Sequence, residues 1–321
     1  MAKALYIGDS SNIARKVKKI YIGGSDGLAH KVKKIYIGDA NGKARLAYTS
    51  SVPAGEVIFT SSQVWTVPDG VSKVDVFLVG GGASGSKGFG SYSSSGGSSG
   101  GWYRLALSGS GGASGKTLTL KNVSVTPNSQ ISIIVGSGGA ARNDSSSAPV
   151  SPGGDSSFGA YGTASGGNAT SGGSGGGGYG QRAEYYNTTT YYRTDGGTDG
   201  STPATVGGSS KINAPGQGTT TRAWGESSGT LYAGGGGGGG CWCSNNTPSG
   251  SYNSYNGGTG GAGGGGNGGS YNNTTVATAG TPNTGSGGGG GGSRAYSQYG
   301  YGYPSGAGGS GLVIVKWAAQ E

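Results

Sequence analysis

Short strand-like segments separated by turn residues dominate the first 160 residues, and helix signals are almost absent. In several of them apolar and polar residues alternate, and turns such as Pro68-Asp69-Gly70 follow at close intervals. Frequent turns between short alternating segments are typical of an antiparallel sandwich. The predicted strands are 57–59, 64–67, 73–79, 102–107, 117–125 and 131–135. We therefore predict an all-β protein with an antiparallel β-sandwich over residues 53–160.

One further apolar segment, residues 311–317, stands alone near the end of the sequence. A lone strand needs a sheet to pair with, and the only sheet that the sequence pattern predicts for it lies before residue 160. We expect strand 311–318 to close the sandwich. Residues 161–310 then form an insertion whose two ends meet at that sheet.

This insertion is dominated by glycine. The chain has 79 glycines in 321 residues, and they cluster in runs such as Gly234–Gly240 and Gly287–Gly292. An isolated run of this kind should be disordered, because glycine has no side chain to bury and loses much backbone freedom on folding. Glycine chains with three residues per turn, packed side by side, can instead satisfy one another's backbone groups. We predict a bundle of polyglycine II helices over residues 161–310, with disorder as the alternative.

The first fifty residues contain a repeat of fifteen residues. Tyr-Ile-Gly recurs at 6–8, 21–23 and 36–38, and each copy is followed by a turn and a second short segment. Such units are typical of β-hairpins. Fifteen residues cannot form a core alone, so we expect the three units to stack or to pair with other subunits. Residues 1–50 are predicted to be an attachment module.

The positive charge is concentrated in the repeat. Residues 1–48 hold ten Lys and Arg against Asp9, Asp26 and Asp39, whereas the rest of the chain is close to neutral despite a formal net charge of +9. Nucleic-acid binding and docking onto an acidic partner are both compatible with these lysines, but solvated strand edges explain them equally well. We therefore do not expect nucleic acid as a partner.

The sequence offers no catalytic constellation. His30 is the only histidine, and the thirteen carboxylates are scattered. Asp195 and Asp199 have a spacing that a glycosidase pair can use, but they lie in a Gly-Thr-rich segment with no apolar pocket to raise a pKa. We expect no enzymatic activity.

The two cysteines, Cys241 and Cys243, are interpreted as unpaired thiols or a strained local disulfide. A zinc site needs about four ligands, so we expect no metal, and no cofactor is indicated. The sequence has no apolar run of eighteen residues and no signal-peptide pattern, so we expect no membrane insertion.

Fourteen of the twenty tyrosines fall after residue 160, among Ser, Asn, Thr and Gly. This is the composition of antibody combining loops, in which tyrosine supplies contact area and small polar residues adapt their hydrogen bonds. Aromatic faces beside Asn, Asp and Arg also suit sugar rings. The alternative is that these aromatics cap glycine helices or pack against neighbouring subunits. The candidate ligand-binding residues are Tyr185, Tyr186, Tyr191, Tyr192, Arg193, Trp224, Trp242, Tyr252 and Tyr255.

Five segments, in this order and separated by glycine runs, resemble the glycine-rich domain of bacteriophage tail fibre and receptor-binding proteins. The resemblance covers about residues 54–318. The fifteen-residue repeat also resembles segments at the start of prophage-encoded virion proteins. The segments are Trp65–Val71, Gly80–Gly82, Ile133–Gly136, Gly153–Gly159 and Gly311–Val315.

The resemblance implies packed polyglycine II helices whose connecting loops are displayed for host recognition. It implies a virion protein, a tail fibre or receptor-binding tip located in the phage particle, that binds a host cell-surface glycan or protein. Residues 1–50 would contact other virion proteins, and a symmetric homo-oligomer, with a trimer as our guess, is expected. The competing interpretation is a purely structural head fibre, filament or fibre shaft. Ice binding by a flat polyglycine face is a further alternative, which the uneven aromatic loops disfavour.

Overall fold

The computed structural model describes most of the chain. It covers residues 6–8, 14–16, 20–23, 28–32, 34–38, 44–49, 52–94, 102–143, 150–177, 181–184, 194–203, 214–244, 256–296 and 298–320. The prediction of an all-β protein is confirmed, since the regular structure of these residues consists of strands apart from a single 3-10 turn at Ala223–Gly225.

Twenty strands are present in the described residues. They are β1 (Tyr6–Gly8), β2 (Ala14–Lys16), β3 (Tyr21–Gly23), β4 (Ala29–Lys31), β5 (Lys34–Gly38), β6 (Ala44–Thr49), β7 (Gly55–Phe59), β8 (Gln63–Thr66), β9 (Lys73–Val79), β10 (Phe89–Ser94), β11 (Trp102–Leu107), β12 (Thr117–Ser124), β13 (Gln130–Ile134), β14 (Ser156–Phe158), β15 (Gly162–Ala164), β16 (Gln181–Glu184), β17 (Cys241–Ser244), β18 (Ser293–Tyr296), β19 (Tyr299–Gly302) and β20 (Leu312–Trp317). All pairings between them are antiparallel except that of β17 with β18.

Two four-stranded sheets form a sandwich around one apolar core. Their strand orders are β12-β9-β20-β7 and β15-β14-β13-β8. Alternate residues of the strands face inward, so Leu78 and Val313 of the first sheet and Ile133 and Phe158 of the second belong to one buried cluster. Trp65 contacts Phe158 across this cluster at a ring-centroid distance of 6.0 Å. We call this unit the sandwich.

The last strand, β20, lies in the interior of its sheet. Val313 is opposite Leu78 of β9 on one side and Phe59 of β7 on the other. Val313 and Val315 face the core of the sandwich, whereas Leu312 and Ile314 face a second cluster on the outside of the sheet. A strand covered on both faces has a continuous apolar sequence rather than an alternating one, which explains residues 312–315.

Strand β11 lies outside the sandwich, contrary to the prediction for residues 102–107. It pairs with β10 and β16 in a separate three-stranded sheet. The physical reason is that the segment before β10 and the segment after β11 run through glycine-rich backbone that separates both strands from the sandwich. A second three-stranded sheet, β17-β18-β19, packs against this one. We call these two the distal sheets.

Glycine-rich segments that are not strands connect the sandwich to the distal sheets. Residues 80–88 lead from β9 to β10, 108–115 lead from β11 to β12, and 303–311 lead from β19 to β20. The sandwich and the distal sheets therefore lie at opposite ends of a hydrogen-bonded array of such segments. This array, called the glycine array below, comprises 80–88, 108–115, 136–139, 151–154, 165–177, 194–201, 234–240, 257–261, 263–269, 278–292 and 303–311.

The run Gly234–Gly240 shows how the array is held together. Its N–H groups donate to three different segments in rotation. Gly234, Gly237 and Gly240 donate to the carbonyls of Gly263, Gly266 and Gly269. Gly235 and Gly238 donate to Gly197 and Thr194, while Gly236 and Gly239 donate to Gly112 and Gly109. Every third residue thus points the same way.

The carbonyl groups of the same run accept in the same rotation. Gly287, Gly290 and Ser293 donate to Gly234, Gly237 and Gly240 at 2.9 Å, Gly261 and Gly258 donate to Gly235 and Gly238, and Gly177 donates to Gly236. Within the described part of the chain this single run is bonded to six neighbouring segments. Each of these hydrogen bonds satisfies a buried backbone N–H or C=O group.

The N-terminal repeat forms three separate two-stranded hairpins, β1-β2, β3-β4 and β5-β6. Tyr21 lies opposite Lys31 in the second hairpin, and Tyr36 lies opposite Leu46 in the third. Apolar side chains of these hairpins, including Tyr21, Ile22 and Tyr36, are largely exposed. A two-stranded hairpin is marginally stable by itself, so these faces favour a packing partner.

Candidate functional site

Seven of the nine predicted ligand-binding residues lie outside the described residues, namely Tyr185, Tyr186, Tyr191, Tyr192, Arg193, Tyr252 and Tyr255. The strands that precede them are described, however. Strand β16 ends at Glu184, opposite Arg104 of β11, and β17 ends at Ser244, opposite Tyr296 of β18. Both strands run away from the glycine array, so both end at the edge of the distal sheets that is farthest from the sandwich.

Trp224 lies at the other end of the molecule. Its ring packs on Phe77 of β9 at 5.8 Å, and the Lys316 ammonium lies 3.8 Å from its centroid. It covers the outer apolar residues of β20, and its backbone has a φ of 63° in the turn that places it there. The structure therefore does not bring Trp224 together with Trp242, the other candidate among the described residues.

Trp242 belongs to the distal sheets, on β17. Its ring lies between Tyr271, at 5.9 Å, and Tyr296, at 6.3 Å. These neighbours leave only 6% of Trp242 exposed. Trp242 is thus the buried member of an aromatic cluster, and the other rings of that cluster are the ones exposed to solvent.

This cluster occupies the outer face of the β17-β18-β19 sheet, and we call it the aromatic face. Tyr296 and Tyr301 stack at 6.0 Å with 21° between their planes, and Tyr299 and Tyr301 stack at 6.2 Å with 30°. Tyr299 is the most exposed of them, at 57%. The aromatic face consists of Trp242, Tyr271, Arg294, Tyr296, Tyr299 and Tyr301.

The inner face of the same sheet carries only small residues. Cys241, Cys243 and Ala295 cluster with Ala106 of β11, and both cysteines are buried. A Cβ on Gly300 would lie 2.4 Å from the backbone of Gly90 in β10. The two distal sheets therefore approach closely because their facing positions are small. In consequence, the aromatic residues point outward and are not needed to fill a core between these sheets.

Arg294 lies over two rings of the aromatic face. Its guanidinium carbon is 5.2 Å from the centroid of Tyr296 and 4.8 Å from that of Tyr301, a cation–π arrangement. Its Nε is buried without a hydrogen-bond partner among the described residues. Desolvation by the neighbouring groups raises the pKa of Tyr301 above its ordinary value of 10.0, and Tyr296 adds to this increase. Desolvation likewise raises the pKa of Tyr303, against the opposing effect of Arg294. Tyr301 and Tyr303 are therefore neutral phenols near pH 7.

Comparison with protein families gives a match to a model described as a glycine-rich domain, over residues 58–318. The chain belongs to the glycine-rich domain family. The matched residues begin at Ile58, within β7, and include the rest of the sandwich, the glycine array and the distal sheets. The hairpins β1–β6 lie before the matched residues. No curated protein matches the sequence.

Within the glycine-rich domain, the carboxylates of Asp195 and Asp199 accept hydrogen bonds from neighbouring backbone and side-chain groups. Asp195 accepts the Thr259 N–H at 2.7 Å, and Asp199 accepts the Thr220 hydroxyl at 2.6 Å and forms an ion pair with Arg222 at 3.3 Å. The Thr220 hydrogen bond, followed by those from Thr221 and Arg222, lowers the pKa of Asp199 despite partial desolvation. A general acid needs the opposite shift.

The described ranges contain no group of three His, Cys, Asp or Glu side chains suited to hold a metal ion. No helix among these residues is long and apolar enough to cross a bilayer.

Of the aromatic face, sequence reasoning selected Trp242 alone. Tyr299, Tyr301 and Tyr303 alternate with Gly300 and Gly302, and this period of two indicates a strand with all its rings on one side. This alternation was the available signal, although it does not show which side of the strand faces solvent.

Proposed function

We propose that this glycine-rich domain protein is a phage virion protein, a tail fibre or receptor-binding tip, that binds a host cell-surface ligand. One observation carries the proposal. The strands that lead into the tyrosine-rich segments end at one edge of the distal sheets, at the end of the glycine array opposite the sandwich. Tyrosine among small polar residues at the end of a stiff support is a suitable arrangement for recognition.

The stiffness follows from a second part of the proposal, that the segments of the glycine array are polyglycine II helices. The three-residue rotation of donors and acceptors along Gly234–Gly240 supports it, because a helix with three residues per turn repeats its directions at that interval. Bonds from one run to six described neighbours oppose bending of any one segment.

Residues 1–50 are proposed to attach the protein to other virion proteins, in a homo-oligomer for which a trimer is our guess. The exposed Tyr21, Ile22, Leu28 and Tyr36 of the hairpins support a docking role, because apolar patches of this kind are covered on assembly. Several copies presenting their distal ends together would multiply weak contacts through avidity.

The test is the binding of labelled protein to a panel of bacterial cells. Replacing Tyr185, Tyr186, Tyr191 and Tyr192 together with serine should abolish binding to the strains that the unaltered protein recognises. Tyr161→Ser, which removes a tyrosine that is 47% exposed in the sandwich, is the control and should bind as before. Unchanged binding by the fourfold variant would favour a purely structural fibre. Imaging of phage particles with an antibody against residues 1–50 tests the virion location.

A further inference from the structure

The aromatic face requires an explanation that internal packing does not supply. The contact between the distal sheets is made by Cys241, Cys243, Ala295, Gly300 and Gly302, all of them small. The large rings stand on the opposite side of the sheet, where β17, β18 and β19 place Trp242, Tyr296 and Tyr299 in adjacent rows. Exposed aromatic surface has a cost in water, so a binding partner is indicated.

The shape of the face favours a flat ligand with apolar faces and polar edges. Tyr301 stacks with Tyr296 at 21° and with Tyr299 at 30°, whereas Tyr296 and Tyr299 are tilted by 49°, so the three rings form an uneven platform rather than a pocket. The C–H face of a sugar ring can pack on such rings while its hydroxyls meet the phenol groups, since tyrosine combines an apolar body with a polar tip. The Tyr301 phenol, with a pKa above 10.0, is protonated near neutral pH and able to donate a hydrogen bond.

The charge of the face adds a second requirement. Arg294 is its only ionic side chain, and it contacts the rings of Tyr296 and Tyr301 rather than a carboxylate in the described structure. A guanidinium held in this way is suited to a carboxylate or phosphate group. Single-stranded nucleic acid also stacks on tyrosines, but it needs a groove with several cations along its backbone, and this face has one.

We propose that the aromatic face binds a saccharide that carries a carboxylate or phosphate group. The rings of Tyr296, Tyr299 and Tyr301 stack on the sugar, Arg294 pairs with the anionic group, and Trp242 and Tyr271 support the rings from below and beside. The inference rests on the proposed host recognition and specifies its ligand class, but it assigns the contact to the sheet face rather than to the tyrosine-rich segments.

The experiment uses the full chain on an array of acidic and neutral bacterial oligosaccharides and polysaccharides, followed by calorimetry with the best-bound glycan. Bound glycans are expected to be those with carboxylate or phosphate groups. Combined Tyr299→Ala and Tyr301→Ala substitution should weaken binding by about tenfold or more, and Tyr299→Phe combined with Tyr301→Phe should restore most of it. Arg294→Gln should also cost about tenfold, since a hydrogen bond to a charged group is lost.

Two controls separate binding from folding. Tyr161→Ala removes a tyrosine of similar exposure from the sandwich, 47% against 57% for Tyr299, and should leave glycan binding unchanged. Every variant is compared by thermal unfolding and by size-exclusion chromatography. If the alanine variant alters the oligomeric state, the face is a subunit contact and the proposal is wrong.

The remaining outcomes are equally decisive. Absence of glycan binding, equal binding of neutral and acidic glycans, or binding unaffected by the alanine substitutions would each overturn the proposal. Cell binding that persists in those cases, and that depends on Tyr185 and its neighbours, would leave the proposed function intact while removing the saccharide site. Failure of both cell and glycan binding would remove both.

Discussion

At the scale of single residues, glycine is required here by the backbone of the neighbouring segment. A Cβ on Gly236 would lie 2.0 Å from the carbonyl oxygen of Gly288, a separation that no real Cβ contact shows. The obstacle is backbone that is itself hydrogen-bonded, so it cannot rotate away as a side chain would. Glycine is thus required at this position because two backbone segments of the chain approach closely.

We expect Gly236→Ala to destabilise the protein by about 3 kcal/mol or more, as overpacking at a rigid site does. Gly23→Ala is the matched control, because a Cβ there meets nothing within 4 Å. Chemical denaturation of both variants measures the difference. Equal free energies of unfolding would show that the glycine array does not have the close packing described above.

Asp199 provides a pH-dependent anchor at the same scale. Its pKa is lowered in the folded protein, chiefly by the Thr220 hydrogen bond, so its contribution to stability is present above the ordinary value of 3.8. That contribution is lost as the pH falls through the lowered pKa. We expect Asp199→Asn to lower the melting temperature at about pH 6 and to have little effect at about pH 2. A difference that persists unchanged at low pH would contradict this assignment.

At the scale of elements, the glycine runs depend on one another. The bonds of Gly234–Gly240 reach six described segments spread over more than one hundred and seventy residues of sequence, from Gly109 to Ser293. No local propensity holds such a run in place, because glycine is the residue with the greatest backbone freedom to lose. The run is ordered by its hydrogen bonds to the neighbouring segments.

Hydrogen exchange tests this dependence directly. We expect the amides of Gly235–Gly239 to exchange far more slowly than those of a glycine peptide, and to be as protected as the amides of β9, because all of them donate to buried carbonyls. Exchange at peptide rates would mean that the array is not formed in solution.

At the scale of the whole molecule, the sandwich closes the glycine-rich domain through β20. This strand separates β7 from β9, and Val313 and Val315 are fully buried. Its position beside strands that are more than two hundred residues earlier makes the domain one cooperative unit.

Deletion of residues 312–321 should therefore abolish cooperative unfolding of the whole domain. Deletion of residues 1–51 should leave the melting temperature of the domain nearly unchanged, because the hairpins contribute nothing to the described core of the sandwich. Calorimetry of the two deletions distinguishes them. A sandwich that still unfolds cooperatively without β20 would contradict the described sheet order.

Much of the fold followed from local pattern. Alternating residues such as those of β9, and the fifteen-residue repeat of Tyr-Ile-Gly, define strands and hairpins because side-chain direction alternates along any extended chain. The glycine content likewise indicated the family. The candidate site was less accessible, since the alternation of tyrosine and glycine at 299–303 marks a one-sided strand but not which side faces solvent.

The sequence by itself determined the all-β class and the positions of most strands. It also showed that glycine dominates the composition of residues 161–310. Only the tertiary structure decided that β11 leaves the sandwich, that Trp224 and Trp242 lie at opposite ends, and that the tyrosines of β18 and β19 face outward. The physical reason is that glycine runs are chemically alike, so their partners depend on the path of the entire chain. The strands and rings attached to their ends are positioned by that path and not by their own residues.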